Sequence, residues 1–229
     1  MTNYLFCSNR PWSISAFMEM RRDLPGNWNL CISPSDLAES AARLNPRYIF
    51  FPHWSSIVPQ ALLDKHECVC FHMTDVPYGR GGSPLQNLIA HGHKETMLTA
   101  LKMTATLDAG PVYFKRPLCL AGSAETIFRR ASELSVRMMA QIVANEPTPV
   151  PQQGEPTVFP RRKREQSELP YGATAEQLYD HIRMLDAPGY PHAFLRFGNF
   201  HATFTKARIR GPIVEASVRF EAVDSGEST

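Results

Sequence analysis

A cysteine and a histidine two positions apart, Cys70 and His72, close a predicted strand, and Thr74 follows. Alternate side chains of a strand share a face, so Cys70 and His72 point the same way. The loop after them, Val76-Pro-Tyr-Gly-Arg-Gly-Gly-Ser-Pro84, has glycines at 79, 81 and 82 that permit tight backbone. Its Pro84 suits the first turn of a helix. Further on comes Leu107-Asp108-Ala109-Gly110. A histidine at a strand's exit, facing an acid from another loop, is a proton-transfer device, because imidazole titrates near neutrality and a carboxylate holds it in place. The same residues have other readings. A strand-ending histidine taken alone is more often structural, and an Asp before Ala-Gly more often makes a turn. Cys70 beside His72 is also the residue pair of a thiolate nucleophile.

The elements that must position these residues alternate. Apolar runs at Tyr4–Ser8, Trp28–Ile32, Arg47–Phe51 and Glu67–His72 read as strands. Between them, Pro11–Arg22, Ser33–Leu44 and Pro59–Asp64 read as helices, the second with a capping serine followed by proline. Alternation of this kind argues for a mainly parallel sheet with helices on both faces. A helix is expected over Ser83–Ala90, and strands over Met97–Met103 and Pro111–Pro117. A long helix from Ser123 to Val143 should bury Ile127, Ala131, Leu134, Met138 and Ile142. Six prolines fall between 147 and 170, with the run Arg161-Arg162-Lys163-Arg164 among them, which reads as an extended connector. The basic run is a solvated face or a contact for a nucleotide phosphate. Thr174 and Gln177 form a capping box for a helix to Leu185. Short strands then follow at Ala193–Phe197, Phe200–Ala207 and Pro212–Val218, two of them joined at Gly198-Asn199. The tail after Asp224 is polar and expected to be mobile. The divisions are a core over 1–146, a connector over 147–172 and a small C-terminal α+β region over 173–229. That last region is too small to bury much core alone, so it should pack on the first or on a second subunit, as in a homodimer.

Bulk properties narrow the class. The chain has 229 residues, 43% hydrophobic and 20% charged, which suits a globular protein. A net charge of +2 does not by itself suggest nucleic-acid binding. No run approaches the length of a membrane span, and the N-terminus is too short and polar for a secretion signal. The cysteine count, five, is odd, and most sit in apolar runs, which suits reduced thiols in a cytoplasmic protein. Cys68-Val-Cys70 lacks the second pair that a zinc site needs, and His91 and His93 flank a glycine as in a solvated turn, so no metal is expected.

Residues 67 to 117 resemble the N10-formyltetrahydrofolate-dependent formyltransferases, which include methionyl-tRNA formyltransferase and the sugar N-formyltransferases. His72, Thr74, Val76-Pro77, Arg80-Gly81 and Pro84 match the family's signature in order, and Leu107-Asp108-Ala109-Gly110 matches its later Leu-Asp-x-Gly. Phe159–Ser167 and Leu178–Phe194 are similar to the part of sugar N-formyltransferases that follows the catalytic core. The resemblance implies a Rossmann-like formyltransferase core and a small C-terminal helix and β-hairpin region. It also implies N10-formyltetrahydrofolate as co-substrate. His72 would move the proton, Asp108 would hold and polarise it, and Thr74 would brace it. The pterin would rest against His53, Trp54, Ser55 and Ile57 and against Leu107, with Arg80 and Gly81 shaping the loop. The family's asparagine falls at Cys70, and a thiol is a weaker donor than an amide. Loss of one oxyanion donor costs on the order of a hundredfold in rate. A backbone N–H, His53 or Asn87 would then have to supply the bond. The length and C-terminal similarity imply an amino-sugar acceptor, nucleotide-linked or a nonulosonic-acid precursor, and not tRNA. Two rivals use the same residues: a degenerate module that binds folate or a nucleotide sugar without turnover, and a Cys70–His72 thiol-dependent acyl transferase.

Overall fold

The computed structural model describes residues 1–222, so the expectation for the tail after Asp224 lies outside the described residues. The core elements in chain order are β1 (Asn3–Cys7), α1 (Pro11–Met20), β2 (Asn27–Cys31), α2 (Leu37–Leu44), β3 (Tyr48–Pro52), α3 (Gln60–Lys65) and β4 (Glu67–His72). Then come β5 (Arg80–Gly81), α4 (Pro84–Ala90), β6 (Glu95–Lys102), β7 (Val112–Cys119), α5 (Ala124–Asn145) and β8 (Val158–Phe159). Six strands form one sheet in the order β2-β1-β3-β4-β6-β7. β2, β1, β3 and β4 are parallel, and β6 runs against both neighbours. The expected mainly parallel α/β core is therefore present, with β6 as its one reversed strand.

The central strands are apolar throughout because both faces are covered. On one face Phe6, Phe17, Trp12, Phe50 and Phe128 pack under α1 and α5. On the other, Leu5, Cys7, Ile49, Phe51 and Cys68 meet Leu37, Ala41 and Leu62 from α2 and α3. Phe6 stacks on Phe17 at 4.1 Å between ring centroids. The Ser33 start differs from expectation: Pro34–Asp36 form a 3-10 turn before α2 begins. Ser123 caps α5 by accepting from the Thr126 N–H at 3.3 Å.

The C-terminal elements are α6 (Ala175–Arg183), β9 (Ala193–Phe197), β10 (Phe200–Arg210) and β11 (Ile213–Ala222). The capping box is formed, with Gln177 N–H to Thr174 Oγ1 at 3.2 Å and Thr174 N–H to Gln177 Oε1 at 3.0 Å. The three strands make one antiparallel sheet, β11-β10-β9. Its last two strands are longer than their apolar runs suggest, because cross-strand bonding carries them through polar residues. Met184, Leu185, Ala187 and Ala193 belong to the same apolar cluster as Phe6 and Phe128, so this region packs on the core. A buried arginine fastens it. Arg183 bonds Asp180 Oδ1 at 2.6 Å and donates to the carbonyls of Leu120 at 2.6 Å and Gly122 at 2.8 Å. Breaking such a buried pair leaves a charge and two carbonyls without partners, so Arg183→Ala should cost about 3–5 kcal/mol. Urea unfolding monitored by Trp fluorescence measures this; a loss below about 1 kcal/mol, the value of a surface pair, would contradict the assignment.

Candidate active site

β4, an interior strand, delivers His72 to its C-terminal end, where the side chain is buried but for 8% of its surface. Its Nε2 lies 2.8 Å from the Gly79 carbonyl oxygen, an acceptor. Its Nδ1 faces Asp108 Oδ2 at 3.5 Å. Both neighbours are acceptors, so each ring nitrogen faces a group that can take a hydrogen bond from it. Thr74 Oγ1 donates to the same Gly79 carbonyl at 3.2 Å, and Thr99 Oγ1 donates to the Thr74 carbonyl at 2.7 Å. Thr74 therefore braces His72 through a shared acceptor. Asp108 Oδ2 accepts from the Gly81 N–H at 2.9 Å. The backbone at Asp108 is left-handed, with φ 52°, a conformation that Asp tolerates better than most residues.

The stretch expected to be a plain connector is extended but forms a wall of the site. Gln152 Nε2 donates to the carbonyls of Asp108 and Gly110, both at 2.8 Å. Its Oε1 accepts from Arg80 Nε at 3.1 Å and Nη2 at 2.8 Å. Thr157 Oγ1 accepts from the Gly79 N–H at 2.7 Å, and β8 pairs in parallel with β5. Asn87 Nδ2 donates to the carbonyls of Gly82 and Pro160, each at 3.0 Å. Residues 150–162 thus strap the two loops that carry His72's partners. Gln152 and Thr157 carried no sequence signal, because their partners lie 42 to 78 positions away.

The remaining candidates sort by environment. Cys70 is half-buried, and burial together with the nearby Asp108 carboxylate pushes its thiol well above the usual range. Such a shift disfavours the thiolate, which speaks against the Cys70–His72 thiolate reading. Asn87 uses both amide hydrogens on the loop and has none to offer an oxyanion. His53 has φ 53° and lies edge-on to Trp12 at 6.2 Å and to Phe128 at 5.3 Å. Burial first, then the charge of Arg10, pushes its imidazole down to about 4, so it is neutral at pH 7. Trp54 packs on Phe51 at 5.7 Å with a buried Nε1 that has no hydrogen-bond partner among the described residues. Ser55, Ile57 and Leu107 are exposed, Ile57 at 96% and Leu107 at 69%. The structure thus gathers His72, Asp108, Thr74, Arg80, Gly81 and Cys70, while His53 and Trp54 pack against neighbouring rings and Ser55, Ile57 and Leu107 remain open surface. Among the described residues no group of three or more His, Cys, Asp or Glu is placed to hold a metal ion. A groove of about 460 Å³ lies elsewhere, over the C-terminal sheet between Phe194, His201 and Arg219, and contains none of these residues.

Comparison with known proteins adds to this geometry. Residues 164–221 match the family described as methionyl-tRNA formyltransferase, C-terminal domain. A solved structure, a methionyl-tRNA formyltransferase from Clostridium thermocellum, is 40% identical, with TM-score 0.93, over 97% of this chain and 100% of that chain. The methionyl-tRNA formyltransferase of Enterococcus faecalis is 28% identical over 215 residues, 86% of this chain and 68% of the relative. The chain spans about half to two thirds of the length of such curated relatives. A sugar N-formyltransferase from Shewanella sp. shares the fold, with TM-score 0.67 at 15% identity over 90% of this chain and 97% of that one.

Two outcomes follow from the site. Gln152→Ala should cost about 1–3 kcal/mol, the value of buried polar groups left unpaired, read from urea unfolding; an unchanged midpoint would show that the strap holds nothing. Iodoacetamide at pH 7 should label exposed Cys119 well before Cys70, followed by peptide mass spectrometry. Faster labelling of Cys70 would reinstate a thiolate there.

Proposed function

As the chain belongs to the N10-formyltetrahydrofolate-dependent formyltransferase family, we propose that it passes the formyl group of N10-formyltetrahydrofolate to the primary amine of an amino sugar. The observation that carries the reading is the buried His72–Asp108 pair, 3.5 Å apart at the C-terminal end of β4. In the reaction the amine nitrogen bonds to the formyl carbon, the bond from that carbon to N10 breaks, and one amine proton ends on N10. Nδ1 of His72 is the working nitrogen, because Nε2 is committed to Gly79. It gives a proton to the developing oxyanion or the departing nitrogen, and Asp108 stabilises the ring while it is charged. Neutral Cys70 lines the site without taking the role of the family's asparagine.

The co-substrate's flat ring suits the open loop. Ile57 and Leu107 offer exposed apolar surface, and Trp54 holds an unpaired buried N–H beside it. The amino-sugar acceptor is supported by the fold shared with a sugar N-formyltransferase and by the small C-terminal sheet. A second reading, a methionyl-tRNA acceptor, is favoured by the match of residues 164–221 and by the 40% identical relative. Partly exposed Leu195, Phe197, Phe200 and Phe220 support the homodimer that the small C-terminal region suggests. No helix among the described residues is long and apolar enough to cross a membrane.

An assay with formyl-folate against a panel of nucleotide-linked amino sugars and methionyl-tRNA should give one formylated sugar. A product only on tRNA would replace the acceptor, and no product at all would remove the transfer reading in favour of the binding module. His72→Ala should lower kcat by about 10²–10⁴-fold, the usual loss of a general acid–base group. Cys70→Ala should keep most of the activity.

A further inference from the structure

Two thiols that the candidate active site does not use are held side by side at one edge of the sheet. β2 is the edge strand next to β1, and Cys7 and Cys31 are partners in the parallel register between them. Adjacent strands lie about 4.8 Å apart, inside the span of roughly 4.4–6.8 Å that a disulfide bridges between Cα atoms. Both side chains enter the same apolar cluster, with Leu5, Leu37 and Ile49, so the two sulfurs share a face as well as a register. The strand ends that carry them are fixed, because the Ser8 N–H donates to the Cys31 carbonyl at 3.1 Å. Cys68 belongs to the same cluster, but among the described residues no group of three such side chains is placed to hold a metal ion. The pair is left with two-thiol chemistry.

The two thiols are not equivalent. Cys31 Sγ donates to the Ser33 carbonyl at 3.3 Å, which turns its hydrogen away from Cys7 and leaves its lone pairs to accept from the Cys7 thiol. That bond from Cys7 pulls the Cys31 thiol down to about 7, against the burial that opposes it. Burial first, and then the same bond, push Cys7 well above the ordinary thiol range. A thiolate is the form that attacks a peroxide, and a second thiol beside it turns the product into a disulfide. The turn next to Cys31, Pro34–Asp36, is exposed, and so are Leu30 and Ile32 on either side of it. Cys31 itself is buried, so a small oxidant suits it better than a bulky one.

We propose that Cys7 and Cys31 form a reversible oxidation site, closed to a disulfide by hydrogen peroxide and reopened by a dithiol. The Cys31 sulfur attacks one peroxide oxygen, the O–O bond breaks and hydroxide leaves, which gives a sulfenic acid on Cys31. The Cys7 sulfur then attacks the Cys31 sulfur, and the sulfenic oxygen leaves as water with the Cys7 proton. The peroxide gains two electrons and the thiol pair loses two. The new bond ties the edge strand β2 to β1, three strands away from the β4 that carries His72. Its test reads thiols and not turnover, so it stands or falls apart from the transfer reading. The full chain carrying Cys119→Ser, which removes an exposed thiol able to join two copies, is treated with hydrogen peroxide at pH 7, alkylated in urea and digested with trypsin. Peptide 1–21 should appear linked to peptide 23–43, lighter by two hydrogens than the two together, and dithiothreitol should release them. Adding Cys7→Ala should halt the reaction at Cys31, where dimedone traps the sulfenic acid, and adding Cys31→Ala should leave Cys7 unoxidised. Circular dichroism checks that each variant is folded. The site is overturned if the folded Cys119→Ser chain yields no linked peptide, if the link joins Cys68 or Cys70 instead, or if it forms only in urea.

Discussion

The carbonyl oxygen of Gly79 sets the orientation of the whole site. It accepts from His72 Nε2 and from Thr74 Oγ1, so the imidazole cannot turn, and Nδ1 is left to face Asp108. For this carbonyl to be where it is, residue 79 has to be glycine. Its φ is 71°, and a β-carbon would meet Phe159 at 2.7 Å and Thr74 at 2.9 Å. Its N–H is in turn held by Thr157. One peptide unit thus ties β4, the loop after it and the late strap 150–162 to a single ring position.

Three non-glycine residues near this end of the sheet have left-handed backbone: His53, Ser83 and Asp108. Each such conformation costs about 1–2 kcal/mol, and it persists where the surroundings over-determine it. At Asp108 the surroundings are the two bonds from Gln152 to its own carbonyl and to that of Gly110. At Ser83 they include the Arg162 N–H donated to its hydroxyl at 3.1 Å. The strap therefore holds strained geometry as well as closing a wall, and the site forms only when chain segments far apart in sequence have all docked.

Electrostatics follow from the same packing. Burial keeps Cys70 a thiol and His53 a neutral imidazole, which confines mobile charge to the His72–Asp108 pair and to arginines at the rim. Arg80 is absorbed by Gln152, and Arg183 by Asp180 and two carbonyls.

The sequence by itself determined the α/β core, the strand that ends in His72, the glycine loop and the Leu107–Gly110 turn. Those features are local: apolar runs, caps and turn residues act within a few positions. It also marked the helix capped by Thr174 and the short strands after it, though not the length of β10 and β11, which cross-strand bonding extends. Tertiary structure alone decided that the proline-rich stretch is a wall and not a spacer, that Gln152 clamps Arg80 to the Asp108 loop, and that Asn87 is spent on the backbone. It also decided that Cys70 is a neutral thiol and that Arg10 meets Tyr190. Each of these depends on which groups become neighbours, some of them as far as 180 positions apart in the chain, and on how much water is left between them. Hydrogen-bond partners and desolvation are properties of that neighbourhood, and no periodicity along the chain encodes them.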